Sequence, residues 1–253
     1  MQTSHNTPEP LAPETGRGWA GSPVARRSFL RYSGAGLAVG GLWLAGCSDD
    51  NDDIDPNANL LDVGSGDNGV LNYAYALEQL EAAFYVQVVA GAYFSTASAA
   101  EKAIFNDLKD HEAIHAAFLK AALGSAAIKA LTPDFSGIDF GVRLGATGAA
   151  KMGVLDAAKA FEDLGVAAYN GAGRFISSNE YLVLAGKIVS VEARHAAVIR
   201  ELIEPNSFVK DDVVELTGTN PRGTERSKRP PVVLETANKF LAAGSKLSAK
   251  SFA

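Results

Sequence analysis

An internal repeat of acidic and histidine residues constrains the fold of this chain more than any other feature. A single Glu is followed by a Glu-x-x-His segment, and the same order then occurs a second time. The repeating residues are Glu78, Glu112, His115, Glu162, Glu192 and His195. In each half, the single Glu is followed seven residues later by a tyrosine. A repeat that preserves both residue type and spacing indicates a duplicated helical hairpin.

The repeated residues lie on four segments with helical periodicity. Capping-box patterns begin the second segment at Ser98 and the fourth at Ser177, and Pro205 ends the fourth. The predicted helices cover about 67–92, 98–123, 148–176 and 177–203, with a short terminal helix at 232–243. This order predicts an all-α fold, an antiparallel four-helix bundle with a long crossover between helices 2 and 3 and a short C-terminal helix.

The repeat has the chemistry of a metal site. Residues three apart on a helix project from nearly the same face, so each Glu-x-x-His offers an oxygen and a nitrogen to one ion. Four carboxylates on apolar helix faces would be very costly to bury alone, whereas two divalent cations would neutralise them. Imidazole and carboxylate ligands with open positions suit iron or manganese better than structural zinc. The sequence therefore predicts two bound iron ions, with manganese as the alternative.

Several residues beside the predicted ligands have two interpretations. Glu81 also lies on the apolar face and is an alternative to Glu78, although its counterpart in the repeat is Gly165. His111 points about 100° away from its neighbour Glu112, which favours a surface histidine or one that contacts a ligand, with direct contact to a metal ion as the alternative. Tyr85 and Tyr169 either hydrogen-bond ligand carboxylates or only fill the core. The glutamates themselves have an alternative interpretation, a polar network that no longer binds metal.

The N-terminal residues have the pattern of an export signal rather than of a folded domain. Arg26 and Arg27 lie in a segment that resembles the twin-arginine motif, and the apolar stretch 34–46 is too short to span a membrane. The stretch ends at Cys47, the single cysteine, in a sequence that resembles a lipoprotein box. Lipidation at Cys47 would anchor an exported protein in the cell envelope or periplasm. The alternative is a structural cysteine that follows an uncleaved anchor.

Charge and composition exclude other classes. The formal net charge of -6 argues against nucleic-acid binding by phosphate neutralisation, and a single cysteine excludes a disulfide framework. Residues 48–66 contain an acidic run typical of a solvated tether. We therefore divide the chain into an export signal with a lipobox (1–47), an acidic tether (48–66), a bundle (67–204) and a C-terminal loop with a short helix (205–253).

Residues 68–203 resemble the ferritin-like superfamily. Within it, they are most similar to bacterial ferritin-like domain proteins related to plant desiccation-associated proteins. The resemblance rests on the stretch from Leu71 to Tyr85, the two Glu-x-x-His segments and Phe161-Glu162. It implies that the metal ligands are Glu78, Glu112, His115, Glu162, Glu192 and His195, with no catalytic residue beyond them.

Two classes of function are consistent with this pattern. The first is a redox metalloprotein that reacts with dioxygen or peroxide, with ferroxidase-like or catalase-like activity. In such a protein, Glu78 and Glu162 would each bind one metal ion. Glu112 and Glu192 would bridge the two ions, and His115 and His195 would each be a ligand of one ion. The second is a non-enzymatic envelope protein for stress or desiccation, in which the bundle binds metal weakly or only structurally. A membrane is expected to contact the protein only through the lipid at Cys47, and a homo-oligomer is compatible with either class.

Overall fold

Four long helices form the body of the protein in the computed structural model, which describes residues 60–218 and 222–253. The predicted twin-arginine motif, the lipobox and the acidic run of residues 49–55 lie outside these residues. The helices are α1 (Gly66–Ala90), the short α2 (Ala92–Thr96), α3 (Ala99–Leu123), α4 (Val154–Ala172), α5 (Asn179–Ile203) and α6 (Pro230–Ala237). Helix α1 packs mainly against α3, and α4 mainly against α5. The predicted all-α ferritin-like bundle is confirmed.

Side-chain caps explain where two of the long helices, α3 and α5, begin. Ser98 accepts a hydrogen bond from the backbone of Glu101, whose side chain accepts one from Ser98 in return, as the sequence predicts for α3. The second predicted capping box is wrong, because Ser178 rather than Ser177 caps α5 and its side chain accepts from the backbone of Tyr181. Helix α5 ends at Ile203, two residues before Pro205.

Two predicted helix boundaries differ from the structure. The third helix begins at Val154 rather than near 148, because Asp156 accepts hydrogen bonds from the backbone of Gly145 and Gly153 and fixes the helix start there. It ends at Ala172 and continues only as a 3-10 turn, Gly173–Phe175. The terminal helix covers Pro230–Ala237 rather than 232–243, since proline is well tolerated in the first turn of a helix.

The crossover between α3 and α4 packs along the bundle. Asn72 of α1 donates to the carbonyl of Ala126 and accepts from the backbone of Ile128, and Gln79 accepts from the backbone of Leu131. Farther along, Phe135 and Phe140 pack against Phe84 of the core. Gly91 has no side chain where α1 ends, and a Cβ there would lie 2.8 Å from a crossover carbonyl.

A parallel pair of two-residue strands joins the two ends of the described chain. Strand β1 (Leu61–Asp62) pairs with β2 (Leu247–Ser248), and Val63 is buried beside it. The last residues of the segment predicted to be a solvated tether therefore lie against the domain, because the C-terminal strand supplies them with backbone partners. None of the helices in the described ranges has the length and apolar character needed to cross a membrane.

Candidate metal centre

All six residues of the repeat meet in the middle of the bundle. Helices α1 and α4 each contribute one glutamate, and α3 and α5 each contribute a glutamate and a histidine one turn later. The four glutamates have no exposed surface, and His195 is 4% exposed. The residues are Glu78, Glu112, His115, Glu162, Glu192 and His195. Burial of so many ionisable groups together is costly unless a counter-charge compensates for it.

These side chains form two overlapping groups with metal-binding spacing. In each group, one potential ligand atom from every member lies within 4.8 Å of the others. Glu78 and His115 belong only to the first group, and Glu162 and His195 only to the second. Glu112 and Glu192 belong to both groups, so their carboxylates have the positions expected of bridging ligands. The arrangement is compatible with a dimetal site.

Both histidines direct Nδ1 at the carboxylates. Nδ1 of His115 lies 2.8 Å from Oε1 of Glu192, 3.3 Å from Glu78 and 3.4 Å from Glu112. Nδ1 of His195 lies 2.8 Å from Oε1 of Glu112 and 3.6 Å from both Glu162 and Glu192. Each imidazole nitrogen therefore approaches three carboxylates at once, as a ligand does when it shares an ion with them.

The inward-facing atoms make no hydrogen bond of good geometry within the described part of the chain, although each Nδ1 lies close to carboxylate oxygens. They are both oxygens of Glu112 and of Glu192, one oxygen each of Glu78 and Glu162, and Nδ1 of each histidine. Buried polar atoms are normally hydrogen-bonded, so eight such atoms around one point need another partner. Carboxylate oxygens and imidazole nitrogens are ligands for iron and manganese, and this donor set fits two such ions.

The two tyrosines hydrogen-bond to glutamates across the repeat. The hydroxyl of Tyr85 in α1 donates to Oε1 of Glu162 in α4 at 2.5 Å, and that of Tyr169 in α4 donates to Oε1 of Glu78 in α1. Of the two interpretations drawn from the sequence, the structure therefore has the hydrogen-bonded one. Each tyrosine holds one oxygen of a glutamate and leaves the other oxygen directed at the centre.

Glu81 and His111 both lie outside the two ligand groups. Glu81 is 4% exposed but belongs to neither ligand group, and its carboxylate lies against Gly165, the residue that replaces it in the repeat. His111 is exposed, and its Nδ1 lies 2.9 Å from Nε2 of His195, with the two rings stacked. It therefore contacts a predicted ligand through the nitrogen that faces away from the centre.

The electrostatics of the metal-free centre favour bound protons. Burial lowers the pKa of His115 and of His195, but the surrounding carboxylates outweigh it and raise both to about 12. Burial raises the pKa of Glu162 to about 8 and that of Glu78 well above its ordinary value. Burial acts in the same direction on Glu112, but the two histidines lower its pKa to about 2. Metal ions would have to displace these protons, so binding should release them.

Metal-free protein should lose stability as the pH rises from about 6.5 to 9. The raised pKa values of His115, His195 and Glu162 mean that the folded state binds more protons than the unfolded state in this range. Their contribution is complete below the ordinary pKa of each group and disappears as the pH passes the folded value. Each group contributes at most about 1.4 kcal/mol per pH unit.

Thermal denaturation after chelation, measured across this pH range, tests the prediction. The lowered pKa of Glu112 makes stability rise with pH, which is the opposite effect. It does so only below the ordinary pKa of 4.5, so it does not affect the measurement between pH 6.5 and 9. Protein loaded with Fe(II) or Mn(II) under anaerobic conditions is the control and should show a smaller decrease. A melting temperature that rises with pH in the chelated sample would contradict the assignment of the protons.

Sequence reasoning missed a buried arginine cluster next to the centre. Arg200 of α5 is 2% exposed and donates to Asp163, which follows Glu162 in α4. It also donates to Asp212 and to the carbonyl of Ser207 in the loop after α5. The position of Arg200, eight residues after Glu192 on the buried face, was the only available signal. Arg26, Arg27 and Cys47 lie outside the described residues.

A comparison with known protein families agrees with this geometry. The profile of a family described as ferritin-like domain matches residues 66–205, more than half of the 253 residues. A search of curated proteins finds none that matches the chain. The matched range begins at the first residue of α1 and ends two residues after α5, so it contains every residue of the two ligand groups. The chain belongs to the ferritin-like domain family.

Proposed function

We propose that this chain is an exported ferritin-like dimetal-carboxylate protein that binds two iron ions, or two manganese ions, and reacts with dioxygen or peroxide. The observation that supports it best is the set of eight buried oxygen and nitrogen atoms that face one another without a hydrogen bond of good geometry. A redox-active metal pair would supply ferroxidase-like or catalase-like chemistry at this place. Protection against oxidative or desiccation stress is the physiological role that we infer from such chemistry.

Each of the two ions would have its own ligands and would share others with the second ion. Glu78 and His115 would hold one ion and Glu162 and His195 the other, and the carboxylates of Glu112 and Glu192, which belong to both groups, would be shared between them. The tyrosine hydroxyls fix the outer oxygens of Glu78 and Glu162. His111 contacts Nε2 of His195 and so keeps Nδ1 directed inward. The complete burial of the glutamates excludes bulk water from the carboxylates.

A non-enzymatic envelope protein is the second candidate. The observation that favours it is the close pairing of each histidine with carboxylates, at 2.8 Å in the shortest contact of each. With both histidines protonated, this pairing compensates part of the buried negative charge without any metal. The centre would then be a structural polar network or a structural metal site.

Export and lipid anchoring are part of the proposal. The twin-arginine pattern at Arg26 and Arg27 and the lipobox that ends at Cys47 support a location in the envelope or periplasm. We expect a Cys47→Ser variant to lose incorporation of a labelled fatty acid and to leave the membrane fraction. Equal labelling of the variant and the natural protein would contradict an anchor at this cysteine.

Anaerobic titration with Fe(II) tests the proposed function on metal-free full-length chain. We expect about two ions per chain, a higher melting temperature and oxidation of Fe(II) faster than in buffer after dioxygen or peroxide is admitted. A parallel Mn(II) sample is scored by peroxide consumption. Glu180→Gln changes an exposed carboxylate in the first turn of α5. This variant is the control for Glu→Gln changes at the metal centre and should bind metal as the natural protein does.

The outcomes separate the two candidates. Two bound ions without faster oxidation or peroxide consumption would favour the non-enzymatic protein with a structural metal site. Chain that binds neither metal, with a melting temperature that metal does not change, would contradict the dimetal proposal altogether.

A further inference from the structure

The two halves of the metal centre are built alike, but His111 has no equivalent in the second half. Each half supplies a single glutamate that a tyrosine of the other half fixes by a hydrogen bond. Each also supplies a Glu-x-x-His segment whose histidine directs Nδ1 at three carboxylates. The residue of the repeat that corresponds to His111 is Val191. A valine side chain can neither accept nor donate a hydrogen bond.

His111 is paired with one of the two predicted histidine ligands. Its Nδ1 lies 2.9 Å from Nε2 of His195, and the planes of the two rings differ by 11°. Nδ1 of His195 faces the carboxylates, so an ion bound there leaves the hydrogen of the neutral ring on Nε2. That N–H donates to Nδ1 of His111, whose own hydrogen then lies on Nε2. Because His111 is exposed, water can accept a hydrogen bond from this outer N–H.

His115 has a different environment on the outer side of its ring. The repeat gives it Val191 in place of a histidine. Its side chain is 12% exposed, against 6% for His195, which makes water available to its outer nitrogen. A fixed imidazole holds a ligand ring in one orientation, whereas water that exchanges with the solvent does not. The two histidines are therefore held unequally, although they face the carboxylates in the same way.

Glu81 is a further difference between the halves, since its counterpart in the repeat is Gly165. One of its carboxylate oxygens lies 3.0 Å from the place where a Cβ on Gly165 would stand. Glu81 belongs to neither ligand group and so fixes no ligand of its own half. The pairing of His111 with His195, in contrast, acts directly on a residue that would bind metal.

We propose that His111 makes the two metal positions unequal, so that the ion held by Glu162 and His195 binds first and more tightly than the ion held by Glu78 and His115. The inference rests on the proposed dimetal site and deepens it. Hydrogen-bond partners of metal-binding histidines fix the ring and raise its basicity, and their loss typically lowers metal affinity about 10- to 100-fold. His111 is thus a positioning residue that acts through His195.

Two single-ion variants measure each position separately and remove the repulsion between neighbouring cations. Glu162→Gln should leave one ion beside His115, and Glu78→Gln should leave one ion beside His195. Calorimetric titration of the metal-free full-length variants with Mn(II) gives the dissociation constant at each position. We expect Kd to be lower by about tenfold or more in Glu78→Gln.

Changing His111 in both backgrounds tests whether it causes the difference. His111→Ala should weaken Mn(II) binding by about tenfold in Glu78→Gln and leave it unchanged in Glu162→Gln. A role in folding alone would weaken both backgrounds alike. His111→Gln should recover part of the affinity, because the side-chain oxygen of glutamine can accept from Nε2 of His195. Asn106→Ala, at an exposed polar position of α3, is the matched control and should change neither background.

Equal Mn(II) affinity in the two single-ion variants would overturn the inference, as would a loss in His111→Ala of the same size in both. A difference that persists in His111→Ala but disappears in Glu81→Gln would also overturn it, by assigning the asymmetry to Glu81. The metal content of the natural chain keeps the two hypotheses separate. Two ions in the natural chain, with equal affinity in the single-ion variants, contradict the inference alone. A natural chain that binds no metal contradicts the proposed function and the inference with it.

Discussion

Replacing both shared carboxylates, in Glu112→Gln/Glu192→Gln, should abolish binding of both metal ions. Each of these glutamates belongs to both ligand groups, so their loss removes two oxygen ligands from either ion at once. Glutamine preserves the volume of the side chain, and the change therefore leaves no cavity. Elemental analysis after anaerobic loading with Fe(II) should fall from about two ions per chain to background.

Single variants provide the internal comparison. Glu78→Gln changes a residue that belongs to only one group, so we expect about one ion to remain bound. Glu81→Gln changes a buried carboxylate that belongs to neither group and should leave the stoichiometry unchanged. A double variant that still binds two ions would show that Glu112 and Glu192 are not the bridging ligands.

Arg200→Ala should destabilise the domain by about 3 kcal/mol. Arg200 is almost completely buried and pairs with Asp163 and Asp212 through its guanidinium group. Its loss would leave Asp163 without this charged partner and would create a cavity beneath the loop after α5. We place the effect at the lower end of the usual range because the side chain of Asp212 is 54% exposed, where water compensates for the lost pair.

Urea denaturation of chelated protein measures this effect. Arg200→Lys should recover only part of the stability, since an ammonium cannot make the two-pronged contact that the guanidinium makes with Asp163. Arg194→Ala, at an exposed position of the same helix, is the control and should change stability by no more than about 0.5 kcal/mol. A loss in Arg200→Ala as small as that of the control would show that the cluster does not stabilise the fold.

The sequence alone determined the helices and the pattern of the centre. Helical periodicity depends on residues three and four apart, so both the four long helices and the face that carries each Glu-x-x-His could be read locally. The duplication then supplied the order of the six residues that the structure brings together. Helix ends were less predictable where a capping side chain bonds to a residue outside the helix, as Asp156 does when it accepts from the backbone of Gly145.

Tertiary structure decided which partner each side chain meets. Glu78 and Glu81 share an apolar face, and only the packing of α1 against the other helices puts Glu78 in a ligand group and Glu81 against Gly165. Tyr85 meets a glutamate 77 residues away, and Arg200 joins α4 to a loop after α5. Periodicity specifies the face of a helix but not the residue that packs opposite it. The crossed tyrosine–glutamate hydrogen bonds and the arginine cluster both depend on how the helices pack together.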